Sequence, residues 1–251
     1  MDRFKASPNA IDLCYFIKQH KKFEPPSGVP PMYFALGINH CADGSAYLEY
    51  GRIKVACCVC GPIELKQDGQ LVTSFRFAPF SSQVRCDSLR DAEEKRLSQL
   101  LLAALEPSII LDSFPRGKYQ IAVTILDDGT ELTDYICNTS SCLSAGITCG
   151  TLALVHAGVQ MYDLAIGLDV VSAALNSSTS ESNASVSSIA VMPQLRQVTM
   201  FNGTSLELLS VGDLRKVMEE AFTRAESVYN TIQDALYSMM KNEYEALEKP
   251  E

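Results

Sequence analysis

Residues 44–62, GSAYLEYGRIKVACCVCGP, indicate a β-hairpin. Residues 45–50 alternate small or polar side chains with larger ones, as strands do. Gly51 and Arg52 then form a tight connection. Residues 53–60 are β-branched and continuously apolar, so we expect a second strand that is buried on both faces. Gly61 and Pro62 are expected to end this strand.

Residues 127–131, DDGTE, form a second informative segment. Residues 119–126 alternate like a strand, and they deliver the chain to a turn shaped to hold an oxyanion. An anion site needs converging N–H donors and positive charge, whereas Glu131 places a carboxylate at the lip of this turn. Glu131 would therefore repel a phosphate, which favours a scaffold over an enzyme. A solvated Glu131 with no site nearby is the alternative, and it leads to the same conclusion.

Capping signals and apolar periodicity supply the remaining elements. Asp87 and Ser88, with Asp91 three residues after Ser88, predict the start of a helix that Pro107 stops. A long final helix begins near Ser210, and its apolar stripe continues for roughly 25 residues. Further strands are predicted at residues 71–77, 164–174, 189–192 and 198–201, a second helix at residues 143–157, and a turn at Asn202 and Gly203.

This order of strands and helices predicts one mixed α/β layer fold. Two Pro-Pro pairs disfavour helix near the N-terminus, so we expect residues 1–38 to form an extended arm and residues 39–251 to form the domain. Residues 176–188 are rich in serine and poor in apolar side chains. We expect their N-terminal part to be a solvated loop.

The composition is that of an ordinary globular protein, with 47% hydrophobic residues among 251 and a net charge of −9. This charge argues against an autonomous nucleic-acid binder, because Lys and Arg supply most non-specific affinity for phosphate. No apolar run approaches about 18 residues, and no signal-peptide core is evident. We therefore expect a soluble protein that is not secreted.

The nine cysteines are expected to be reduced thiols that fill core space. Cys58 and Cys60 share one strand face and Cys57 points to the other, so these three cannot easily surround a tetrahedral metal. A second group has irregular spacing and only His156 nearby, so we predict no metal site there either. Its members are Cys137, Cys142 and Cys149.

Together these segments resemble the ribonuclease PH superfamily over residues 44–237, and within it the ring subunits of the eukaryotic RNA exosome. Residues 44–62 resemble its first hairpin. Residues 127–130, followed by ALVHAG at 153–158, resemble the second signature of this superfamily. The likeness to exosome ring subunits rests on FRFAPF at 75–80, ALEP at 104–107, GVQMYDL at 158–164 and AVMP at 190–193. The resemblance implies an RNase PH fold, also called ribosomal protein S5 domain 2-like, with a mixed sheet packed with helices in a single domain.

The resemblance also implies where a phosphorolytic site would lie. Active ribonuclease PH-like enzymes have an arginine immediately after the Gly-Thr of the turn, where this chain has Glu131, and another in the first helix, where residues 97–106 have none. We interpret Gly129, Thr130 and Glu131 as a degenerate phosphate site and Glu181 as a degenerate acidic site. We expect no catalytic residue, no metal and no cofactor.

A group of basic residues would face the central channel of a ring-forming homologue and could contact RNA. Interleaved acidic residues weaken the local field, and ion pairs across a subunit boundary are an equally weighted alternative. The candidates are Arg76, Arg85, Arg90, Lys95 and Arg96.

The chain is also longer than the usual superfamily spacing between Thr130 and His156, with residues 137–142 as the expected insertion.

By resemblance we expect a non-catalytic ring subunit of the RNA exosome, which supports 3′-to-5′ RNA processing and degradation. The implied partners are other RNase PH-like subunits in a six-membered ring, cap subunits with OB and KH domains, and RNA in the assembled channel. No membrane partner is expected. The implied location is the nucleus, nucleolus and cytoplasm. A phosphate-dependent 3′-to-5′ exoribonuclease with a rebuilt site, and an acidic interaction module with no RNA role, are the alternatives.

Overall fold

A computed structural model describes residues 31–64, 69–82, 91–129, 139–172, 185–203 and 211–247. In these residues one apolar core joins two sheets and three helices, which confirms the predicted mixed α/β fold. The strands are β1 (Met32–Leu36), β2 (Gly44–Tyr50), β3 (Ile53–Glu64), β4 (Gln70–Phe77), β5 (Gly117–Asp127), β6 (Ile166–Ser172), β7 (Ser185–Met192) and β8 (Gln197–Gly203). The helices are α1 (Asp91–Leu105), α2 (Thr139–His156) and α3 (Val211–Leu247). The sheets have the strand orders β1-β2-β3-β5-β4 and β6-β7-β8.

The β2–β3 hairpin forms as predicted, with antiparallel pairing. β3 is nevertheless buried on one face only: Val55 and Val59 are fully buried, whereas Lys54 and Cys60 are exposed. The prediction of burial on both faces was wrong, because α2 packs against one face of the sheet. The predicted end at Gly61 and Pro62 was also wrong, since β3 continues past a register shift to Glu64.

Strand β1 lies within the range predicted to be an extended arm. It pairs antiparallel with β2, from Met32 opposite Tyr50 to Leu36 opposite Ala46. Met32 and Phe34 are each 1% exposed, so alternate side chains of this segment enter the core. Residues 32–36 therefore belong to the sheet and not to an arm, and residues 1–30 lie outside the described residues.

Helix α1 covers β4, which is the opposite edge strand of the same sheet and pairs in parallel with β5. The Phe75 N–H donates to Ser98 Oγ at 2.9 Å, and the Phe77 N–H donates to Glu94 Oε1 at 2.9 Å. Side chains of α1 therefore satisfy backbone donors that an edge strand would otherwise expose. The apolar stripe of α1 is buried at Leu97, Leu101, Ala104 and Leu105. The predicted capping residues Asp87 and Ser88 lie outside the described residues.

Helix α2 lies between the two sheets and packs on β2, β3, β6 and β7. It begins at Thr139, earlier than the predicted start at residue 143, and its residues 142–154 are all buried. A Cβ added at Gly146 would lie 2.7 Å from Cε2 of Phe75, and one at Gly167 in β6 would lie 2.2 Å from the Ser144 carbonyl oxygen. The glycines therefore allow this close approach of helix and sheets.

The second sheet is covered by α3, which spans 37 residues and is longer than the predicted stripe.

Asn202 and Gly203 do not form the predicted turn, because they pair with Ser188 and Ser187 inside the sheet. Of the serine-rich segment, residues 176–184 lie outside the described residues, and residues 185–188 begin β7. No helix in the described part of the chain is long and apolar enough to cross a membrane. The buried face of α3 consists of Ala221, Ala225, Val228, Ile232 and Ala235.

Candidate functional site

The turn after β5 contains the candidate site predicted from the sequence. In its described part, backbone N–H groups already donate to acceptors of this chain. Gly129 has φ +69°, in the left-handed region that favours glycine. Its N–H donates to Asp127 Oδ1 at 3.1 Å. The Asp128 N–H donates to the Ser81 carbonyl at 3.1 Å. Both N–H groups are therefore already bound by acceptors of this chain and are not directed at an external anion.

Two neighbouring segments hold this turn in place. On one side the Ala78 N–H donates to the Ile125 carbonyl at 2.9 Å, which docks the segment after β4 on the end of β5. On the other side the β2–β3 connection packs so closely that a Cβ at Gly129 would lie 3.2 Å from the Cβ of Arg52. The Asp128 side chain is 2% exposed in this junction. The turn conformation is thus fixed by tertiary contacts.

Carboxylates dominate the described part of the turn. Asp127 Oδ2 lies 3.7 Å from Lys54 Nζ, and both side chains are about half exposed (46% and 47%). An exposed pair of this kind contributes only about 0–1 kcal/mol to stability. Asp127 thus accepts a hydrogen bond from Gly129 through one oxygen and attracts Lys54 through the other. It therefore occupies a donor and a cation that a bound oxyanion would need.

Several predicted site residues lie outside the described residues. They are Thr130 and Glu131 of the degenerate phosphate site, Glu181 of the degenerate acidic site, and Arg85 and Arg90 of the channel group. Their assignments stay predictions.

The described channel candidates lie on two different elements. Arg76 is exposed on β4, on the face opposite the buried Phe75. Lys95 and Arg96 are exposed on α1, and Arg96 Nη1 makes a long 3.5 Å contact with Asn202 Oδ1 in β8. The structure therefore brings Arg96 next to the second sheet, whereas Arg76 lies on the outer face of the first.

Sequence reasoning missed a partly buried carboxylate, Asp169 in β6. The Ser144 hydroxyl donates to its Oδ1 at 2.5 Å, and the guanidinium of Arg224 in α3 donates to its carbonyl at 3.4 Å. Burial raises the pKa of Asp169, and hydrogen bonds from Ser144 and Ser141 oppose this shift. Burial, together with the charge of Asp169, also raises the pKa of Tyr50. One acidic residue within an apolar strand was the available signal.

The described cysteines separate by strand face as predicted. Cys57 is 1% exposed in the core, Cys58 is intermediate and Cys60 is exposed. Burial raises the pKa values of Cys57 and Cys149, so both thiols are held neutral and pack as small apolar groups. Among the described residues no three His, Cys, Asp or Glu side chains form a metal-binding group.

The sequence is similar to a known family and to named relatives. The model of the 3′ exoribonuclease family (RNase PH), domain 1, matches residues 29–160. The chain is 34% identical to Exosome complex component MTR3 of Homo sapiens over 160 residues, which cover 57% of this chain and 55% of that protein. It is 31% identical to MTR3 of Mus musculus over 207 residues, covering 71% and 72%. It is 30% identical to Exosome complex component Rrp41 of Thermococcus kodakarensis over 235 residues, covering 88% and 87%.

Solved structures show the same fold. Rice (Oryza sativa) Rrp46 superposes with a TM-score of 0.63 at 17% identity, covering 87% of this chain and 98% of that chain. A chain of the Archaeoglobus fulgidus exosome with RNA bound to the active site superposes with a TM-score of 0.62 at 14% identity, covering 83% and 89%. The alignment with human MTR3 spans only about half of that relative's length.

Proposed function

This chain belongs to the 3′ exoribonuclease (RNase PH) family, and on that basis we propose that it is a non-catalytic ring subunit of an RNA exosome. Its role is to complete the assembly through which RNA passes to a nuclease, and so to support 3′-to-5′ RNA processing, including rRNA processing, and degradation. The similarity to exosome components of human, mouse and archaeal origin supports this proposal.

One observation carries the non-catalytic part of the proposal: the Gly129 N–H donates to the chain's own Asp127 carboxylate. Phosphorolysis needs N–H donors and cations around the attacking phosphate. Here a carboxylate occupies the donor, and Glu131 adds a second negative side chain after the Gly-Thr pair. An approaching phosphate would meet like charge.

The expected loss of rate is large. One missing charge-assisted hydrogen bond costs about 1.5–3 kcal/mol. Since ~1.36 kcal/mol corresponds to a tenfold change in rate, one such loss alone slows the reaction roughly ten- to a hundredfold. The occupied donor, the absence of an arginine in residues 97–106 and the added Glu131 act together.

The proposal extends to partners and location. The chain assembles with other RNase PH-like subunits into a six-membered ring that carries cap subunits with OB and KH domains, in the nucleus, nucleolus and cytoplasm. RNA in the channel is contacted by a basic group that includes Arg85 and Arg90, together with the exposed Arg76, Lys95 and Arg96. The net charge of −9 means that this contact depends on the assembly.

Assembly is tested by co-expressing the tagged chain with RNase PH-like exosome subunits and measuring the mass of the purified product. We expect a stoichiometric ring. Recovery of this chain as a monomer, while the other subunits associate without it, would contradict the assignment.

A second candidate is a phosphate-dependent 3′-to-5′ exoribonuclease with a rebuilt site. The similarity to an archaeal Rrp41 over 88% of this chain favours it. To separate the two candidates, RNA is incubated with inorganic phosphate, Mg²⁺ and the chain, alone and with its ring neighbour in a catalytically inactive form. We expect no nucleoside diphosphates, and their release would support the exoribonuclease instead.

A further inference from the structure

An open cavity of about 390 Å³ lies apart from the turn after β5, and residues of α2, of the segment that follows α2 and of α3 line it. The segment that follows α2 forms one wall, and the turn between β7 and β8 and the side chain of Tyr229 form the others. The size is that of a small binding pocket. Apolar and aromatic side chains line most of it, with Met161, Tyr162 and Leu164 from the first wall.

One buried carboxylate, Asp163, contributes to this lining and is 7% exposed. Its Oδ1 accepts from the Leu164 N–H at 2.7 Å. Its Oδ2 accepts from the N–H groups of Gln194 at 2.8 Å and Leu195 at 3.3 Å. All three donors are neutral backbone groups, and no Lys or Arg of the described ranges forms an ion pair with Asp163. Backbone N–H groups, and no side chain of opposite charge among the described residues, hold this carboxyl group in place.

Aromatic rings accompany this charge. Tyr162 is 62% exposed, although its backbone N–H is anchored to the Ser108 carbonyl at 2.8 Å. Burial, followed by the charges of Asp163 and Tyr237, raises the pKa of Tyr229. Ring faces and a carboxylate both attract cations, and the attraction grows where water is partly excluded.

We propose that this cavity binds an arginine side chain presented by a segment of a partner protein. Charge complementarity selects a cation, because tyrosine rings of the pocket accompany a carboxyl group that forms no ion pair with the described residues. Arginine suits it better than lysine, since a guanidinium stacks on aromatic faces and is more weakly hydrated than an ammonium group. Oδ1 of Asp163 retains one acceptor position for a guanidinium N–H, because a carboxylate oxygen can accept two hydrogen bonds.

The surroundings also fit a peptide that carries apolar residues beside the arginine. Leu195, at the turn between β7 and β8, is 47% exposed, and Met161 lines the cavity. Binding of this kind requires neither a phosphate site nor a ring. The proposal therefore goes beyond the proposed function and can fail independently of it.

The test uses the full-length chain and three blocked pentapeptides, Ala-Leu-X-Leu-Ala, in which X is arginine, lysine or glutamine. Binding is followed by NMR of ¹³C-methyl-labelled methionine, with the Met161 methyl as reporter. We expect the arginine peptide to bind at least about tenfold more tightly than the glutamine peptide, because a charge-assisted contact is lost in the latter. The lysine peptide should fall between them. Equal affinity of the arginine and glutamine peptides would overturn the proposal.

Two variants with matched controls locate the binding site. Tyr162→Ala should weaken arginine-peptide binding about two- to fivefold through loss of a cation–π contact. Phe80→Ala, which removes a 73% exposed ring outside the cavity, should not. Gln160→Arg places a cation at the cavity wall and should abolish binding, whereas Gln120→Arg on the exposed face of β5 should leave it unchanged. Undiminished binding to a folded Gln160→Arg variant would overturn the proposal.

Discussion

The Ser144 hydroxyl donates a hydrogen bond of 2.5 Å to Oδ1 of Asp169 and so joins α2 to β6. Ser144 is fully buried, and burial raises the pKa of Asp169. A carboxylate at the contact between the central helix and the second sheet is costly to ionise, because partial burial removes water from its charged form. The stability of this contact therefore depends on pH.

Asp169→Asn should change the pH dependence of unfolding. The folded pKa of Asp169 lies above its ordinary value of 3.8, so the folded state holds the proton more tightly than the unfolded state. The stabilisation from this group is complete below the unfolded value and is lost as pH rises through the folded pKa. Urea unfolding of both proteins should be measured at several pH values, starting at the pKa of the unfolded carboxyl group. As pH rises, the difference in unfolding free energy should shift in favour of the variant. A difference that does not vary with pH would contradict the assignment.

Gly146→Ala should destabilise the fold by about 1–3 kcal/mol through overpacking. The added Cβ would lie 2.7 Å from Cε2 of Phe75 and 3.3 Å from Cγ1 of Val123 in the sheet below. Gly150→Ala in the same helix is the matched control. There the new Cβ meets only the end of the Leu105 side chain at 3.2 Å, and the helix gains about 0.5–1 kcal/mol in propensity. Chemical denaturation should rank Gly150→Ala as the more stable variant, and the reverse order would refute the packing argument.

Ser98→Ala should cost about 1–3 kcal/mol, because the Phe75 N–H loses its acceptor at the edge of the sheet. The same hydroxyl also donates to the Glu94 carbonyl at 2.7 Å. Ser113→Ala removes an exposed hydroxyl that donates to the Ile110 carbonyl at 2.7 Å, and it should stay within about 0.5 kcal/mol of the parent. Thermal unfolding of both variants is the measurement. Equal effects would mean that α1 does not protect this edge.

Under the proposed function, Glu131→Arg alone should not confer phosphorolysis, because the Gly129 N–H remains bound to Asp127. Adding Asp127→Ala releases that donor, so the double variant should bind inorganic phosphate more tightly than Glu131→Arg alone. Equilibrium dialysis with labelled phosphate measures binding, and release of nucleoside diphosphates from RNA measures turnover. Turnover by the single variant would show that the bound Gly129 N–H does not prevent phosphorolysis.

The elements that were predicted correctly are those whose signal is local. Strand β5 and the buried stripe of α1 follow from periodicity within one segment. Strand β1 was missed because its five residues follow two Pro-Pro pairs and carry no alternation of apolar and polar residues. The continuation of β3 past Pro62 was missed because its pairing with Lys118 is a long-range contact.

The candidate site, like the fold, was predicted from the sequence only in part. The order of residues 127–131 is sufficient to place carboxylates around a glycine turn, since side-chain charge is a property of the residue itself. That the Gly129 N–H is already bound, and that the turn packs on Arg52 and Ser81, depends on strands that meet only in the folded chain.

Local spacing was enough to predict a mixed α/β fold, because strand period and helix period are encoded over short distances. The RNase PH fold, with its turn at residues 127–131, was implied by the resemblance of several sequence segments to that superfamily. Folding was required to expose one face of β3 and to bury Asp169 against Ser144. It also placed Asp163 and Tyr229 around one cavity. The physical reason is that burial and the local electrostatic field arise from neighbours that are distant along the chain.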